Sequence, residues 1–225
     1  MFNTFFTPFM SIKEKLVKIK DTLPEEVTLV AVSKTKSEAE IQEAYDAGQR
    51  DFGENKIQEM VQKWESLPGD IHWHMIGHVQ RNKVKYMVPF VSLVHGVDSA
   101  KLLKEIDKQA KKNDRVIPCL LQIHIAEEDT KFGLNEAELN EILAMEGLNN
   151  VKIRGLMGMA TFTSDKEQIK KEFKRLKALF DGIKAIKPEI DVLSMGMSGD
   201  YQVAIEEGST MVRLGSSIFG ERNRH

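Results

Sequence analysis

Apolar positions along this chain follow two alternating patterns. Short, nearly continuous apolar runs, of the kind expected for strands buried on both faces, recur at 27–33, 51–53, 71–76, 91–97, 117–125, 153–159, 192–196 and 211–218. The run at 117–125 is the strongest, and Asp51–Gly53 is the weakest. Between them the apolar positions switch to helical spacing. Ser37–Ala47 aligns Ile41, Ala44 and Tyr45, Asn55–Trp64 aligns Ile57, Met60, Val61 and Trp64, and Ser99–Lys112 aligns Leu102, Leu103, Ile106 and Ala110. Asn135–Ala144 opens on a capping asparagine, Ser164–Ile186 is the longest stretch, and Ser198–Glu207 closes on Gly208, a good C-cap. One more helix, Ser11–Asp21, precedes the first strand, with Ser11 and Glu14 at capping-box spacing.

Eight strands alternating with helices predict an α/β protein: a single (βα)8 TIM barrel with an extra N-terminal helix. The alternative is an open doubly wound sheet. The strand count and the lack of a glycine-rich turn after the first strand favour the barrel. No linker, repeat or low-complexity segment divides the chain, so one domain is expected over residues 10–225. Residues 1–9 carry Phe2, Phe5, Phe6 and Phe9 without the basic start of a secretory signal. They are expected to be a disordered or non-native extension, with Met10 as the native start.

Composition adds exclusions. Hydrophobic residues make up 41% of the 225 and charged residues 29%, enough for a soluble protein with a full core. The 32 basic and 34 acidic residues nearly cancel, which leaves no electrostatic ground for a nucleic-acid or anionic-membrane partner. No run approaches the roughly 18 apolar residues of a spanning helix. The single cysteine, Cys119, permits no intramolecular disulfide and fits a cytoplasmic protein. Its apolar surroundings, Ile117 to Leu121, mark it as a buried small hydrophobe.

The candidate chemistry begins at Lys34, directly after Leu29-Val30-Ala31-Val32-Ser33. In a barrel, that strand end faces the active-site side. A lysine there either snorkels to water or, if desolvated, becomes a nucleophilic amine suited to Schiff-base chemistry. Two glycine- and serine-rich turns follow the last two strands: Ser194-Met195-Gly196-Met197-Ser198-Gly199-Asp200 and Arg213-Leu214-Gly215-Ser216-Ser217. Barrels commonly bind phosphate at these two loops, where close backbone N–H groups, hydroxyls and a helix N-terminus converge. A strand-end lysine with a phosphate site implies a phosphorylated aldehyde or ketone. Arg213, inside the last strand, needs a partner if buried, either an acid in the barrel or a cofactor ring. Lys36, Lys131 and Asn55 also lie just beyond strand ends, where solvated loop positions are common. His72 and His74 share one face of the third strand, with His78 four residues on. No further ligand completes a metal site, so these histidines are read as structural or pocket-lining and no metal is expected.

These residues sit within motifs that resemble the pyridoxal phosphate homeostasis proteins, the YggS/PROSC family, which is related to the barrel domain of alanine racemases. The matching pieces run in family order from about Ser11 onward. They are Ala31-Val32-Ser33-Lys34, Phe52-Gly53-Glu54-Asn55, His74-Met75-Ile76-Gly77 through Lys83, Thr130-Lys131-Phe132-Gly133, Gly155 through Met159, Leu193 through Ser198 with Asp200, and Val212-Arg213-Leu214-Gly215-Ser216 with Ile218-Phe219-Gly220. The resemblance implies that Lys34 holds pyridoxal 5′-phosphate (PLP) as an internal aldimine. It also implies that Ser198, Gly215 and Ser216 cradle the phosphate, that Arg213 faces the pyridine nitrogen and that Asn55 lies near the cofactor. Lys36 and Lys131 match lysines implicated in handling PLP. Lys56 stands where many members have tyrosine, and Ser216 where many have threonine.

The implied role is intracellular PLP (vitamin B6) homeostasis and amino-acid balance without strong catalysis, because arginine at the ring nitrogen weakens the electron sink. The β-rich second domain of alanine racemases, which supplies a tyrosine base, is expected to be missing, and a monomer is expected. Apo PLP-dependent enzymes are the expected recipients. A weak PLP-dependent amino-acid racemase is the alternative. A class I aldolase is a more distant one, since its lysines usually come from later strands.

Overall fold

The computed structural model describes residues 10–128 and 132–221. Its strands are β1 (Thr28–Val32), β2 (Asp51–Glu54), β3 (His72–Met75), β4 (Leu93–Val97), β5 (Ile117–Gln122), β6 (Val151–Met157), β7 (Val192–Met197) and β8 (Met211–Leu214). They pair in parallel in sequence order and close into a barrel, β8 returning to β1. The closing register aligns Thr28 with Met211, Leu29 with Val212, Val30 with Arg213 and Ala31 with Leu214. The fold is the predicted TIM barrel.

Helices α1 (Ile12–Lys20), α2 (Glu38–Asp46), α3 (Ile57–Ser66), α5 (Ala100–Lys112), α6 (Glu136–Leu143), α7 (Lys166–Lys184) and α8 (Tyr201–Glu206) follow the expected order. Two short helices, α4 (Val84–Met87, after a 3₁₀ turn at Arg81–Lys83) and α9 (Ser216–Phe219), were not read from the pattern. The starts are written in the caps. Ser11 with Glu14, Ser37 with Glu40 and Asn135 with Glu138 each form a reciprocal capping box.

The period of two along the strands sorts the apolar residues into two layers. Leu29, Ala31, Phe52, Trp73, Met75, Val94, Cys119, Leu121, Leu156, Leu193, Met195, Val212 and Leu214 belong to the large outer core. Leu102, Leu103 and Ile106 of α5 and Phe173 and Leu176 of α7 join them there. Val30, Leu93, Leu120, Met157 and Met211 form a separate, smaller cluster on the inward-facing positions. Cys119 is fully buried in the outer layer, and burial pushes its thiol well above the ordinary range.

Several expected boundaries shift by two or three residues, as where β5 ends at Gln122 and not Ile125, and two of the shifts have a local cause. The last strand ends at Leu214, not Ile218, because Ser216–Phe219 turns into helix. The helix expected from Ser198 starts at Tyr201: the Asp200 carboxylate accepts the Met197 N–H at 2.6 Å and closes a turn first. The extension expected at residues 1–9 lies outside the described residues. Among the described residues, no helix is long and apolar enough to cross a membrane.

Among the glycines that close approach requires, Gly155 is the most tightly enclosed. A Cβ on Gly155 in β6 would fall 1.7 Å from the Val192 carbonyl oxygen of β7. Gly155→Ala should therefore cost more than about 3 kcal/mol in urea unfolding, or prevent folding. Gly182, exposed within α7 with nothing within 4 Å of a Cβ, gives the opposite expectation. Gly182→Ala should raise stability by about 0.5–1 kcal/mol, because helical glycine carries a backbone entropy cost.

Candidate functional site

A cavity of about 660 Å³ opens where the strands end. It is lined by Lys34 and Lys36 after β1, Asn55 after β2, Ser198 after β7, Arg213 in β8, and Gly215 and Ser216 after β8. Seven of the residues named from the sequence thus meet in one place. The eighth, Lys131, lies outside the described residues.

Lys34 is half-buried on a braced turn. Ser33, fully buried, donates its N–H to the Gly53 carbonyl at 3.0 Å, which continues the β1–β2 ladder by one step. Thr35 follows at φ 64°, an uncommon backbone conformation for a β-branched residue. Its N–H donates to Glu59 Oε1 at 2.6 Å. Behind the turn, Lys63 Nζ donates to the Ser33 carbonyl at 2.8 Å, to Glu54 Oε1 at 2.7 Å and to Glu59 Oε1 at 2.7 Å. The Ser33 hydroxyl donates to the same Glu54 oxygen at 2.6 Å. Burial pushes the Glu54 carboxyl up against the downward pull of Lys63 and Ser33, and its Oε2 has no hydrogen-bond partner. The backbone on both sides of Lys34 is therefore held by one buried ammonium and two carboxylates. The sequence reading missed this clamp. Its signal was Lys63, three residues after Met60 on the buried face of α3, where a lysine has no solvent to reach.

The opposite wall is built by the two serine- and glycine-rich turns. Gly196 adopts φ 98°, and a Cβ there would sit 2.7 Å from Ala204 Cβ, so the β7–α8 turn needs glycine. The turn brings Ser198 Oγ to the start of α9, where it accepts the N–H groups of Gly215 at 3.2 Å and Ser217 at 3.4 Å. Backbone donors and a hydroxyl thus converge at the cavity edge, the equipment of an anion cradle.

Arg213 is buried, and its guanidinium donates to Ser194 Oγ at 2.6 Å and to the Gly158 carbonyl at 3.1 Å. Burial pulls it down to about 10, partly offset by Asp200, so it stays charged at neutral pH. Lys36 Nζ donates to the Phe219 carbonyl at 3.1 Å and pairs with Glu40 at 3.2 Å, tying the β1–α2 loop to the end of α9. Asn55 is packed by its backbone: a Cβ on Gly77 would lie 2.4 Å from the Asn55 carbonyl oxygen. His78, also on the cavity wall, holds Asp98 at 2.9 Å and stacks on Phe132 with ring centroids 4.2 Å apart. His72 and His74 both turn to Asp51, at 3.2 and 3.1 Å, and His74 also meets His95 at 2.9 Å. Among the described residues, no group of three or more His, Cys, Asp or Glu is arranged to hold a metal ion.

The closed parallel barrel places the chain in a known class of fold. The family model "Alanine racemase, N-terminal domain" matches residues 10–223. An alanine racemase of Clostridium difficile superposes with a TM-score of 0.78 at 16% identity, covering 94% of this chain and 56% of that one, a likeness of fold alone. Within that class, the chain belongs to the pyridoxal phosphate homeostasis proteins. It is 43% identical over 206 residues to the Vibrio alginolyticus member, covering 89% of this chain and 88% of the relative. It is 39% identical over 205 residues to the Escherichia coli K12 member, again covering 89% and 88%. PipY of Synechococcus elongatus, solved with PLP bound, superposes with a TM-score of 0.86 at 35% identity, covering 93% of this chain and all of that one.

The clamp behind Lys34 yields a stability prediction. Lys63→Ala strands the fully buried Glu54 carboxyl without its counter-charge and should cost about 3–5 kcal/mol in urea unfolding at neutral pH. Removing both partners together, as Lys63→Met with Glu54→Gln, should cost clearly less. Equal losses in the two proteins would show that the pair does not brace the turn.

Proposed function

We propose that this chain binds PLP as a Schiff base on Lys34 and serves intracellular PLP homeostasis, holding the cofactor more than using it. The observation that carries the reading is the convergence of a half-buried lysine, an anion cradle and a charged arginine on one cavity. Each part suits one part of the cofactor. Lys34 offers an amine to an aldehyde. Ser198, Gly215 and Ser216 offer hydroxyl and N–H groups to a phosphate. Arg213 offers its N–H groups to the ring nitrogen, and Asn55 lines the wall beside it. The cavity volume lies within the range of small-molecule sites. When bound, PLP supplies an electrophilic aldehyde and an electron-withdrawing ring.

The residues around the cavity favour binding over turnover. Arg213 stays charged and can only donate to the ring nitrogen, so it lends no proton to strengthen the sink. The three tyrosines that might serve as a racemase base are engaged or placed elsewhere. Tyr45 donates to Asp70 at 2.6 Å, Tyr86 is exposed on α4, and Tyr201 opens α8. Lys36 and Lys131 are assigned to PLP handling, and apo PLP-dependent enzymes are the intended recipients. A cytoplasmic monomer completes the reading.

Visible spectroscopy and mass spectrometry after borohydride reduction test it. Wild type incubated with PLP should show the Schiff-base band and carry the reduced adduct on the peptide containing Lys34. Lys34→Ala should lose both. An adduct found on another lysine, or none, would overturn the assignment. Ser198→Ala should weaken PLP binding about tenfold, the scale of one hydrogen bond to a charged group. Alanine α-proton exchange that disappears in Lys34→Ala would instead favour the weak racemase.

A further inference from the structure

The barrel interior holds a line of polar side chains among apolar neighbours. It starts at Asp51, the first residue of β2, on the rim opposite the cavity. Asp51 Oδ1 meets His74 Nε2 at 3.1 Å, and His74 Nδ1 meets His95 Nε2 at 2.9 Å. His95 Nδ1 meets Ser194 Oγ at 3.1 Å, and Ser194 Oγ accepts from Arg213 at 2.6 Å. His74, His95, Ser194 and Arg213 are all buried, while Val30, Leu93, Leu120, Met157 and Met211 fill the inward-facing positions around them.

We propose that Asp51, His74, His95 and Ser194 are positioning residues: a relay that fixes the Arg213 guanidinium, from the far end of the barrel, in the orientation it presents to the cofactor ring. The inference rests on the assignment of Arg213 to the PLP ring made above. Hydrogen-bond direction carries it. A carboxylate only accepts, so His74 places its proton on Nε2 and leaves Nδ1 as an acceptor. His95 must then donate from Nε2, and its Nδ1 accepts the Ser194 hydroxyl proton. That leaves the Ser194 lone pairs turned toward Arg213. One charge at Asp51 thus decides every proton along the line, and no other neutral arrangement satisfies all four contacts.

Two electrostatic observations agree. The Asp51 carboxyl lies below its ordinary value, because its bonds to His74 and His72 outweigh partial burial. The His95 imidazole is held well below its ordinary value by complete burial, with the Arg213 charge acting the same way, and so stays neutral. Stability alone gives no reason for the line, since buried polar networks can often be replaced by apolar side chains without loss. Supporting a charged arginine beneath the cavity does give one.

Nitrogen-15 NMR of histidine-labelled apo protein reads the relay without cofactor or variant. Both His74 and His95 should carry the proton on Nε2 and none on Nδ1; the reverse pattern in either ring overturns the proposal. Asp51→Leu removes the acceptor, so both tautomers should invert. In the PLP-loaded protein, the visible band should shift and PLP release should quicken about tenfold. His72→Gln, which touches the same carboxylate from solvent, should leave band and release unchanged. If wild type takes PLP on Lys34 but Asp51→Leu keeps the wild-type band and a release rate within about twofold, the relay is wrong and the binding assignment stands. If wild type takes no PLP on Lys34, the binding assignment fails, and the apo tautomers still report whether Asp51 sets the line. Should Asp51→Leu fail to fold, Ser194→Ala, which cuts the last link to Arg213, must shift the band and quicken release in the same way; otherwise the proposal falls.

Discussion

The pairing of β8 with β1 is the constraint on which the site depends. Lys34 and Gly215 are far apart in the chain, and they meet because Val30 lies beside Arg213 and Ala31 beside Leu214 in the closing ladder. A parallel ladder sends both strands out of the barrel on the same side. The lysine turn after β1 and the α9 turn after β8 must then face each other across the mouth. Lys36 reinforces the closure by donating to the Phe219 carbonyl across the same seam. An open sheet would place these two strands at opposite edges, and no cavity could include both.

Closure has an electrostatic consequence. It encloses polar groups that an open sheet would leave to water, and the protein supports them in two ways. The clamp behind Lys34 places Lys63 directly between Glu54 and Glu59, at 2.7 Å from each. Such a contact gains strength from a low local dielectric but leaves a large debt if one partner is lost. Arg213 instead donates to a serine hydroxyl and a main-chain carbonyl, with the charge of Asp200 acting on it in support. The first arrangement holds backbone on both sides of Lys34. The second holds a charge in a chosen orientation while leaving it available to the cavity.

Much of this was legible in the sequence because periodicity and caps are local signals. Ser11, Ser37 and Asn135 announced three helix starts that the structure reproduces as capping boxes. Lys34, Ser198, Arg213, Gly215 and Ser216 were legible because a barrel fixes which strand ends share a face. The short helices α4 and α9 were not, since four residues are too few to display a helical period. Nor was the true start of α8: its serine-glycine approach reads as a cap, and only the Asp200 bond to Met197 shows a turn. The clamp and the interior relay were hidden for a different reason. Their members lie on different strands and helices, as with His95 and Ser194, 99 residues apart. Their roles come from register, which no single segment encodes. The His72–His74 spacing correctly implied a shared direction, but what they turn toward is a carboxylate on the neighbouring strand.

The placement of negative charge argues for the kind of chemistry the site can support. A carboxylate beside a pyridine nitrogen favours the protonated, strongly electron-withdrawing ring. Here the interior carboxylate, Asp51, stands four hydrogen bonds away from the Arg213 guanidinium, through His74, His95 and Ser194. In the proposed arrangement each intervening group is neutral, so the line would convey orientation without bringing a proton-accepting charge to the cavity. The guanidinium, pulled down only to about 10, remains a donor that cannot give its proton away at neutral pH. Under the proposed function, the ring is therefore fixed in place while its capacity to stabilise a carbanion is kept low. On that proposal, the braced lysine, the serine- and glycine-rich cradle and the muted ring would together make a site that retains an aldehyde and gives it back unchanged.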